Sequence, residues 1–269
     1  MEKNFEKNSF EKRLSSMIKV DFRRMFTMPL VYILLGICLV MPIVILVMTS
    51  MMDGTVSTNP QTGAETVIEG FDNVWQILGA TAAKDSSAAM DMSLTSMVNI
   101  NMLYFGVALL VCVFVSDDFR SGYAKNLFTV RSKKSDYVIS KTLVCSLGAA
   151  LMIFAFFIGS MLGGAIAGVP FTMDGFTAGN VCACVFSKMI IVTVFVPIYL
   201  IMSVVAKQRL WLSILLSLAT GMFLYTMVPM ITPINSTLIN VLLSFVGGAG
   251  ISIALGALSK LVLEKTSLV

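Results

Sequence analysis

Six long apolar runs constrain the fold of this chain more than any other feature. Each run is continuous and has about the 20 residues that a helix needs to cross a bilayer. Of the 269 residues, 57% are hydrophobic and 13% are charged, whereas roughly a quarter of the residues of a soluble domain are charged. We therefore predict an all-α polytopic membrane protein. The predicted transmembrane helices are 29–50, 97–115, 142–168, 183–205, 211–229 and 238–258.

The lysines and arginines predict the orientation of these helices. All of them except Lys84 and Lys188 fall in the N-terminal arm 1–28, the segment 116–141, the link after the fourth run and the tail 259–269. Because cytoplasmic loops are enriched in basic residues, we expect all four regions in the cytoplasm and the protein in the plasma membrane. With six spans both termini are cytoplasmic. Lys188 lies near the start of the fourth run, where it either extends to the interface or precedes the span.

The largest predicted outer loop is 52–96. Within it, Phe71, Val74, Trp75 and Leu78 follow helical spacing, which is typical of a short interfacial helix. Two roles are open for this stretch. The tryptophan would anchor the loop at the lipid headgroups, or the loop would recognise a substrate.

The N-terminal arm carries an amphipathic pattern. Its basic residues lie largely away from the apolar stripe, so we predict a helix in the cytoplasmic interface with its apolar face toward the acyl chains. The stripe consists of Leu14, Met17, Ile18, Phe22, Met25 and Phe26. Asp21 interrupts it. The preferred interpretation is a local ion pair with Arg24, and the alternative is a contact with a basic group of the segment 116–141.

Small residues indicate close helix packing. Gly159, Gly163, Gly164 and Gly168 in the third run would let a neighbouring helix approach closely. The sixth run has four glycines for which we predict the same close packing: Gly247, Gly248, Gly250 and Gly256. Apart from Lys188, no charged residue lies well inside a predicted span, which argues against transport driven by protons or sodium ions.

The segment 116–141 contains a short amphipathic stretch. On a helical wheel Tyr123, Leu127 and Val130 share one face, while polar side chains occupy the other. Asp117 and Asp118 precede the stretch, where carboxylates favour a helix N-terminus. A helix that transmits force between two spans and a solvated basic loop both fit this pattern.

Particular residues of this segment resemble a known family. Asp118-x-x-x-Gly122, a helix, the basic pair Lys133-Lys134 and Lys141 resemble the first cytoplasmic loop of ABC-2 type exporter permeases. The stretch from Gly122 to Asn126 is further similar to permeases for lantibiotic immunity and bacitracin resistance. Arg131 and Ser140 depart from the pattern, since many members have proline and glycine there.

The resemblance implies the membrane subunit of a transporter. The short helix would be a coupling helix that docks on a separate ATPase, present in two copies beneath two permease chains, identical or paired with a sister. The ATPase-coupling interface would comprise Asp118, Gly122, Tyr123, Lys125, Asn126, Leu127, Val130, Lys133, Lys134 and Lys141. The implied cargo is an amphipathic antimicrobial peptide or a lipid-like compound, with multidrug efflux as the alternative in the same class.

The chain itself shows no sign of catalysis. It has no G-x-x-x-x-G-K-[ST] phosphate loop and no histidine, so ATP and magnesium would belong to the partner. We expect no cofactor, no metal, no nucleic acid and no enzymatic activity in this chain. An intramembrane enzyme would need an acid pair or a Gly-x-Ser-x-Gly motif, and the sequence has neither. A membrane sensor or scaffold that does not transport remains the alternative from another class.

Overall fold

Helices make up most of the described chain. In a computed structural model, the described residues are 2–58, 65–67, 70–79, 98–130, 133–173, 175–206 and 209–265. The α-helices in these ranges are α1 Glu2–Thr27, α2 Pro29–Met52, α3 Leu103–Arg120, α4 Tyr123–Val130, α5 Lys134–Ala167, α6 Ala178–Ala206, α7 Leu210–Ile231 and α8 Leu238–Lys265. A short antiparallel hairpin pairs β1 Val56–Thr58 with β2 Glu65–Val67. Two 3-10 turns cover Val74–Leu78 and Ile100–Met102.

The helices agree with a multi-pass membrane protein. Among the described residues, five helical stretches are long and apolar enough to cross a bilayer: Pro29–Met52, Ile100–Arg120, Lys134–Ala167, Ala178–Ala206 and Leu238–Lys265. The all-helical membrane class is therefore confirmed. Helix α7 covers the fifth predicted run. The structure describes its side chains over the apolar stretch Leu210–Met222, which is shorter than a membrane span. A count of six spans stays a prediction.

Several helices extend beyond the apolar runs. Helix α5 begins at Lys134 instead of 142, and α8 continues to Lys265 instead of ending at 258. Polar residues continue these helices because the backbone hydrogen bonds of a helix do not depend on an apolar side chain. Much of the charged segment 116–141 thus belongs to the ends of α3 and α5.

Glycines bring α5 and α2 into close contact. A Cβ added at Gly159 would lie 2.7 Å from Pro42 Cγ, and one at Gly163 would lie 2.8 Å from Ile43 Cα. At Gly164 an added Cβ would collide with the Val74 side chain. The backbone of α5 therefore touches its neighbours at these three positions.

Other glycines of the predicted packing motifs have different surroundings. Gly168 ends α5 in the left-handed conformation with φ +70°, where glycine is favoured because it has no Cβ. In α8, a Cβ at Gly247, Gly250 or Gly256 would meet no atom within 4 Å among the described residues, and one at Gly248 would lie 3.4 Å from Ile190. The prediction of close packing in the sixth run therefore applies within this chain to Gly248.

The two ends of the helix bundle are defined by contacts between helix ends. At the end that carries α1 and α4, here called the N-terminal side, Lys134 Nζ donates to the Leu263 carbonyl at 2.9 Å. At the opposite end, here called the distal side, Asn180 Nδ2 donates to the Ser236 carbonyl at 2.9 Å. These contacts place the start of α5 beside the end of α8, and the start of α6 beside the start of α8.

The predicted interfacial helix of the outer loop is a buried 3-10 turn. Trp75 is 4% exposed and meets Phe171 edge to face, with ring centroids 5.8 Å apart. The backbone N–H of Val74 donates to the Pro170 carbonyl at 3.2 Å. Trp75 is thus covered by protein, and the predicted anchoring at lipid headgroups is wrong for this residue. Helical spacing showed an apolar face, but it did not show that the segment after α5 covers it.

Candidate functional site

Four charged side chains from three helices meet at the base of the short helix α4. They are Asp21 and Arg24 from α1, Asp118 from α3 and Lys141 from α5, and we call them the charge junction. Lys141 Nζ lies 2.9 Å from Asp21 Oδ1 and 2.7 Å from Asp118 Oδ2. Arg24 Nη1 donates to Asp118 Oδ1 at 2.6 Å. One lysine therefore bridges two acids, and one of these acids also binds an arginine.

The charge junction is buried and its formal charges balance. The side chains of Asp21, Asp118 and Lys141 are 0% exposed, and that of Arg24 is 27% exposed. Removing an ion from water costs several kcal/mol unless an opposite charge and hydrogen bonds compensate for it. Two carboxylates face two cations here, so each buried charge has a counter-charge.

Neutral donors also bind the two carboxylates. The Tyr137 hydroxyl donates to Asp118 Oδ2 at 2.9 Å, and the Ser140 hydroxyl donates to Asp21 Oδ2 at 2.6 Å. Both donors belong to the first two turns of α5. A single helix start thus supplies an ammonium and two hydroxyls to acids from α1 and α3.

Aromatic rings line the cationic side of the charge junction. Lys141 Nζ lies 3.7 Å from the centroid of the Phe114 ring. The Arg24 guanidinium lies 4.1 Å from the centroid of the Tyr123 ring. Cations are attracted to the faces of aromatic rings. Because Tyr123 is the first residue of α4, this contact joins α4 to α1.

The charge junction also affects titration at the N-terminal side. Burial by itself would lower the pKa of Arg24, but the Asp118 carboxylate, together with Tyr123 and Asp21, outweighs burial and raises this pKa above its ordinary value. Burial raises the pKa of Tyr123, and the negative charge of Asp21 acts in the same direction. Arg24 therefore stays charged and Tyr123 stays neutral at physiological pH.

Of the two interpretations of Asp21, the contact with a basic group of the segment 116–141 is the one found in the structure, and this group is Lys141. Asp21 lies in the middle of the buried stripe between Met17 and Met25, and this stripe faces α5. Arg24 makes its shortest ion pair with Asp118 instead. Since α1 packs along α5, the middle of its stripe meets Lys141.

The apolar stripe of α1 contacts protein more than was predicted. Met17 and Met25 are buried, Ile18 and Phe26 pack against the core, and Phe22 is 42% exposed. Arg13 and Asp136 form a second ion pair between α1 and α5, with Nε and Oδ2 3.3 Å apart. The predicted orientation, with this face toward the acyl chains, is therefore corrected for the buried part of the stripe.

Helix α4 packs on the bundle with one face. Ala124 is 1% exposed, Leu127 and Phe128 pack against the core, and the Phe128 ring meets Tyr137 edge to face at a centroid distance of 5.4 Å. Gly122 precedes the helix with φ +73°, a conformation that glycine adopts at no steric cost. This turn separates α3 from α4.

The outward face of α4 differs from the predicted docking face. Lys125, Asn126, Thr129 and Val130 are exposed, and Val130 is 72% exposed. Leu127 instead faces the bundle and Tyr123 lies under Arg24. The helical wheel placed Leu127 and Val130 on one face of α4. It could not show which face of α4 packs against the other helices of this chain.

The two acids before α4 do not lie at its N-terminus. Asp117 and Asp118 belong to the last turn of α3, which ends at Arg120. The prediction that they favour the start of α4 is therefore wrong. Asp118 points into the charge junction, and Asp117 Oδ2 lies 3.6 Å from Arg24 Nη2 at the exposed edge.

The remaining predicted coupling residues lie at the start of α5. Lys133 is the exposed N-cap of α5, and the Lys134 ammonium binds the end of α8. Lys141 is the one that reaches the charge junction. The sequence offered one signal for this role. Asp118 follows the second apolar run and Lys141 precedes the third, and the ends of two consecutive spans that a loop joins lie on the same side of the membrane.

A second buried polar cluster lies toward the distal side. Lys188 is 1% exposed, and its ammonium donates to Asn101 Oδ1 at 3.1 Å and to Thr232 Oγ1 at 2.8 Å. Helix α6 begins at Ala178, so Lys188 lies inside this helix, and its ammonium does not extend to the protein surface. The expectation that it extends to the interface is wrong, because neutral oxygens from two other segments hold it inside the bundle. The alternative, that the membrane span begins after Lys188, stays a prediction.

The chain matches no protein-family model, and no curated protein or solved structure matches it.

The charge junction can act as a mechanical link. Helix α4 is connected to α3 by one turn, and residues 131–133 separate it from α5. The ends of α3 and α5 next to it are joined to each other and to α1 by buried ion pairs. A displacement of α4 would therefore reach three helices together.

Proposed function

We propose that this chain is the membrane subunit of an ABC-2 type exporter, driven by a separate ATPase. The proposal rests on the geometry of α4 together with the resemblance of the segment from Asp118 to Lys141. An eight-residue helix stands on the N-terminal side, with its outward face free and its base joined to three helices by the charge junction. This is the arrangement that a coupling helix requires.

In this proposal the N-terminal side faces the cytoplasm, six helices cross the membrane and both termini are cytoplasmic. The ATPase, which carries ATP and magnesium, would contact the exposed face of α4. The contact would be made by Lys125, Asn126, Thr129 and Val130. Closure of two ATPase subunits would displace α4, and the charge junction would convert that displacement into a rigid-body movement of α1, α3 and α5.

The cargo and the assembly follow from the resemblance alone. The similarity of the stretch from Gly122 to Asn126 to immunity and resistance permeases favours an amphipathic peptide or a lipid-like compound. Efflux of small drugs is the alternative within the same class. A transporter of this kind needs two permease chains, so a second copy or a sister chain would complete it.

Co-purification with an ATPase tests the proposal. The chain is co-expressed with the ATPase encoded beside its gene, and the complex is isolated through a tag on the permease. We expect the ATPase to co-purify with the wild type and its yield to fall at least several-fold with Lys125→Glu or Val130→Asp. Both residues are exposed on α4, so their replacement leaves the packed face intact.

A matched variant controls for charge. Lys19 is exposed on α1 and lies outside the outward face of α4, so Lys19→Glu should leave co-purification unchanged. The proposal fails if no ATPase co-purifies with the wild type. It also fails if the two α4 variants keep the ATPase as well as Lys19→Glu does.

A further inference from the structure

A groove opens between α5, α6 and α8 in the part of the bundle next to the N-terminal side. Its volume is about 520 Å³ and its walls are almost entirely apolar. The larger apolar side chains of the wall are Val138, Ile139 and Leu143 from α5, Ile190 from α6, and Phe245 and Ile253 from α8. An apolar groove on a membrane-embedded helix bundle fits a hydrocarbon chain.

The groove is at least as long as one leaflet of a bilayer is deep. On α5 the groove is lined from Ser135 to Ser146, and on α8 from Phe245 to Lys260, which at about 1.5 Å per residue corresponds to about 16 Å and about 22 Å along the two helices. The hydrocarbon core of a bilayer is about 30 Å thick, so one leaflet contributes about 15 Å. The groove is therefore deep enough to hold an acyl chain that enters from the N-terminal side.

A positive charge stands at the outer end of the groove. Lys260 lines this end beside Ser135, and its ammonium is 3.8 Å from Glu264, with both side chains nearly half exposed. Such an exposed pair contributes little and leaves the ammonium available. Lys133, the exposed N-cap of α5, lies two residues before Ser135, so a second ammonium is available at this end of the groove.

We propose that this groove binds one anionic phospholipid from the leaflet on the N-terminal side. One acyl chain fills the apolar channel, and the phosphate of the headgroup binds the Lys260 ammonium. This inference is independent of any ATPase. A transmembrane helix of a second copy would place apolar side chains against Lys260, whereas an anionic headgroup complements its charge.

Native mass spectrometry of the full-length protein tests the proposal. The purified protein is titrated in detergent with phosphatidylglycerol and, separately, with phosphatidylcholine of the same acyl chains. We expect the wild type to bind phosphatidylglycerol more tightly. Because one lysine near a membrane surface is worth about a five-fold change in affinity for an anionic lipid, Lys260→Gln should reduce this preference about five-fold.

Filling the groove provides a second variant. A Cβ at Gly256 meets no atom within 4 Å among the described residues, and Gly256 lines the groove, so Gly256→Leu should occupy the channel without displacing a helix. We expect it to weaken the binding of both lipids at least several-fold. Gly250 is equally open and lies elsewhere on α8, so Gly250→Leu is the matched control and should bind as the wild type does. Thermal unfolding of each variant verifies that it is folded.

Three results would overturn the proposal. The first is equal affinity of the wild type for the two lipids. The second is unchanged lipid binding in Gly256→Leu. The third is a dimer that Gly256→Leu dissociates while lipid binding persists, since the groove would then hold a second copy of the chain.

Discussion

Replacing Lys141 by methionine tests the energetic role of the charge junction. Lys141→Met keeps a flexible, unbranched side chain and removes the ammonium. Asp118 would retain Arg24 and the Tyr137 hydroxyl, whereas Asp21 would retain the Ser140 hydroxyl at 2.6 Å. Because Asp21 is 0% exposed, its charge would be left in the protein interior without its nearest cation.

The expected loss follows from the cost of an uncompensated buried charge. Removing one partner of a buried ion pair typically lowers stability by about 3–5 kcal/mol. Lys141 has two carboxylates within 2.9 Å, which favours the upper part of this range. Asp21→Asn combined with Lys141→Met removes the orphaned charge, so the double variant should be more stable than the sum of the two losses predicts, by roughly 1–3 kcal/mol.

Equilibrium unfolding in mixed micelles measures these free energies, with the fluorescence of Trp75 and Trp211 as the signal. Lys19→Met is the matched control, because Lys19 is exposed on α1, and a surface change of this kind should stay within about 0.5 kcal/mol. A loss below about 1 kcal/mol in Lys141→Met would refute the argument, since a buried pair costs several times more to break. Additivity of the two variants within about 0.5 kcal/mol would refute the direct coupling of Asp21 and Lys141.

Three further predictions use the same unfolding measurement. Gly159→Ala should lower the free energy of unfolding by about 1–3 kcal/mol, because its Cβ would press on the backbone of α2. Gly250→Ala, the control, should be neutral or stabilising by up to about 1 kcal/mol. Equal effects of the two substitutions would contradict the close contact of α5 with α2. Lys188→Met should leave the free energy of unfolding unchanged or raise it, because it removes a buried ammonium that is held by neutral oxygens, and a large loss would argue for a charged partner. The raised pKa of Tyr123 predicts a stability contribution that is present below the ordinary tyrosine pKa of about 10 and is lost as the pH rises above it, since the unfolded chain then releases a proton that the folded chain keeps. Tyr123→Phe should therefore unfold with a shallower dependence on alkaline pH, and an unchanged slope would contradict the raised pKa of Tyr123.

The amino-acid sequence by itself determined the class of this protein and the approximate position of its long helices. In lipid, backbone N–H and C=O groups must bind one another, so an apolar run of about 20 residues has few structures other than a helix. The amphipathic stretch after Gly122 was also visible, because a change of pattern acts locally.

Tertiary structure alone decided which side chains meet. A helical wheel gives the direction of Asp21 relative to its own helix, and it leaves open whether Arg24 or a residue 120 positions away lies there. The same gap explains Leu127, which packs on its own bundle, and Lys188, which is held by oxygens from two distant segments. The partner of a buried charge depends on how whole helices pack, and the charge junction exists because α1, α3 and α5 converge at one point.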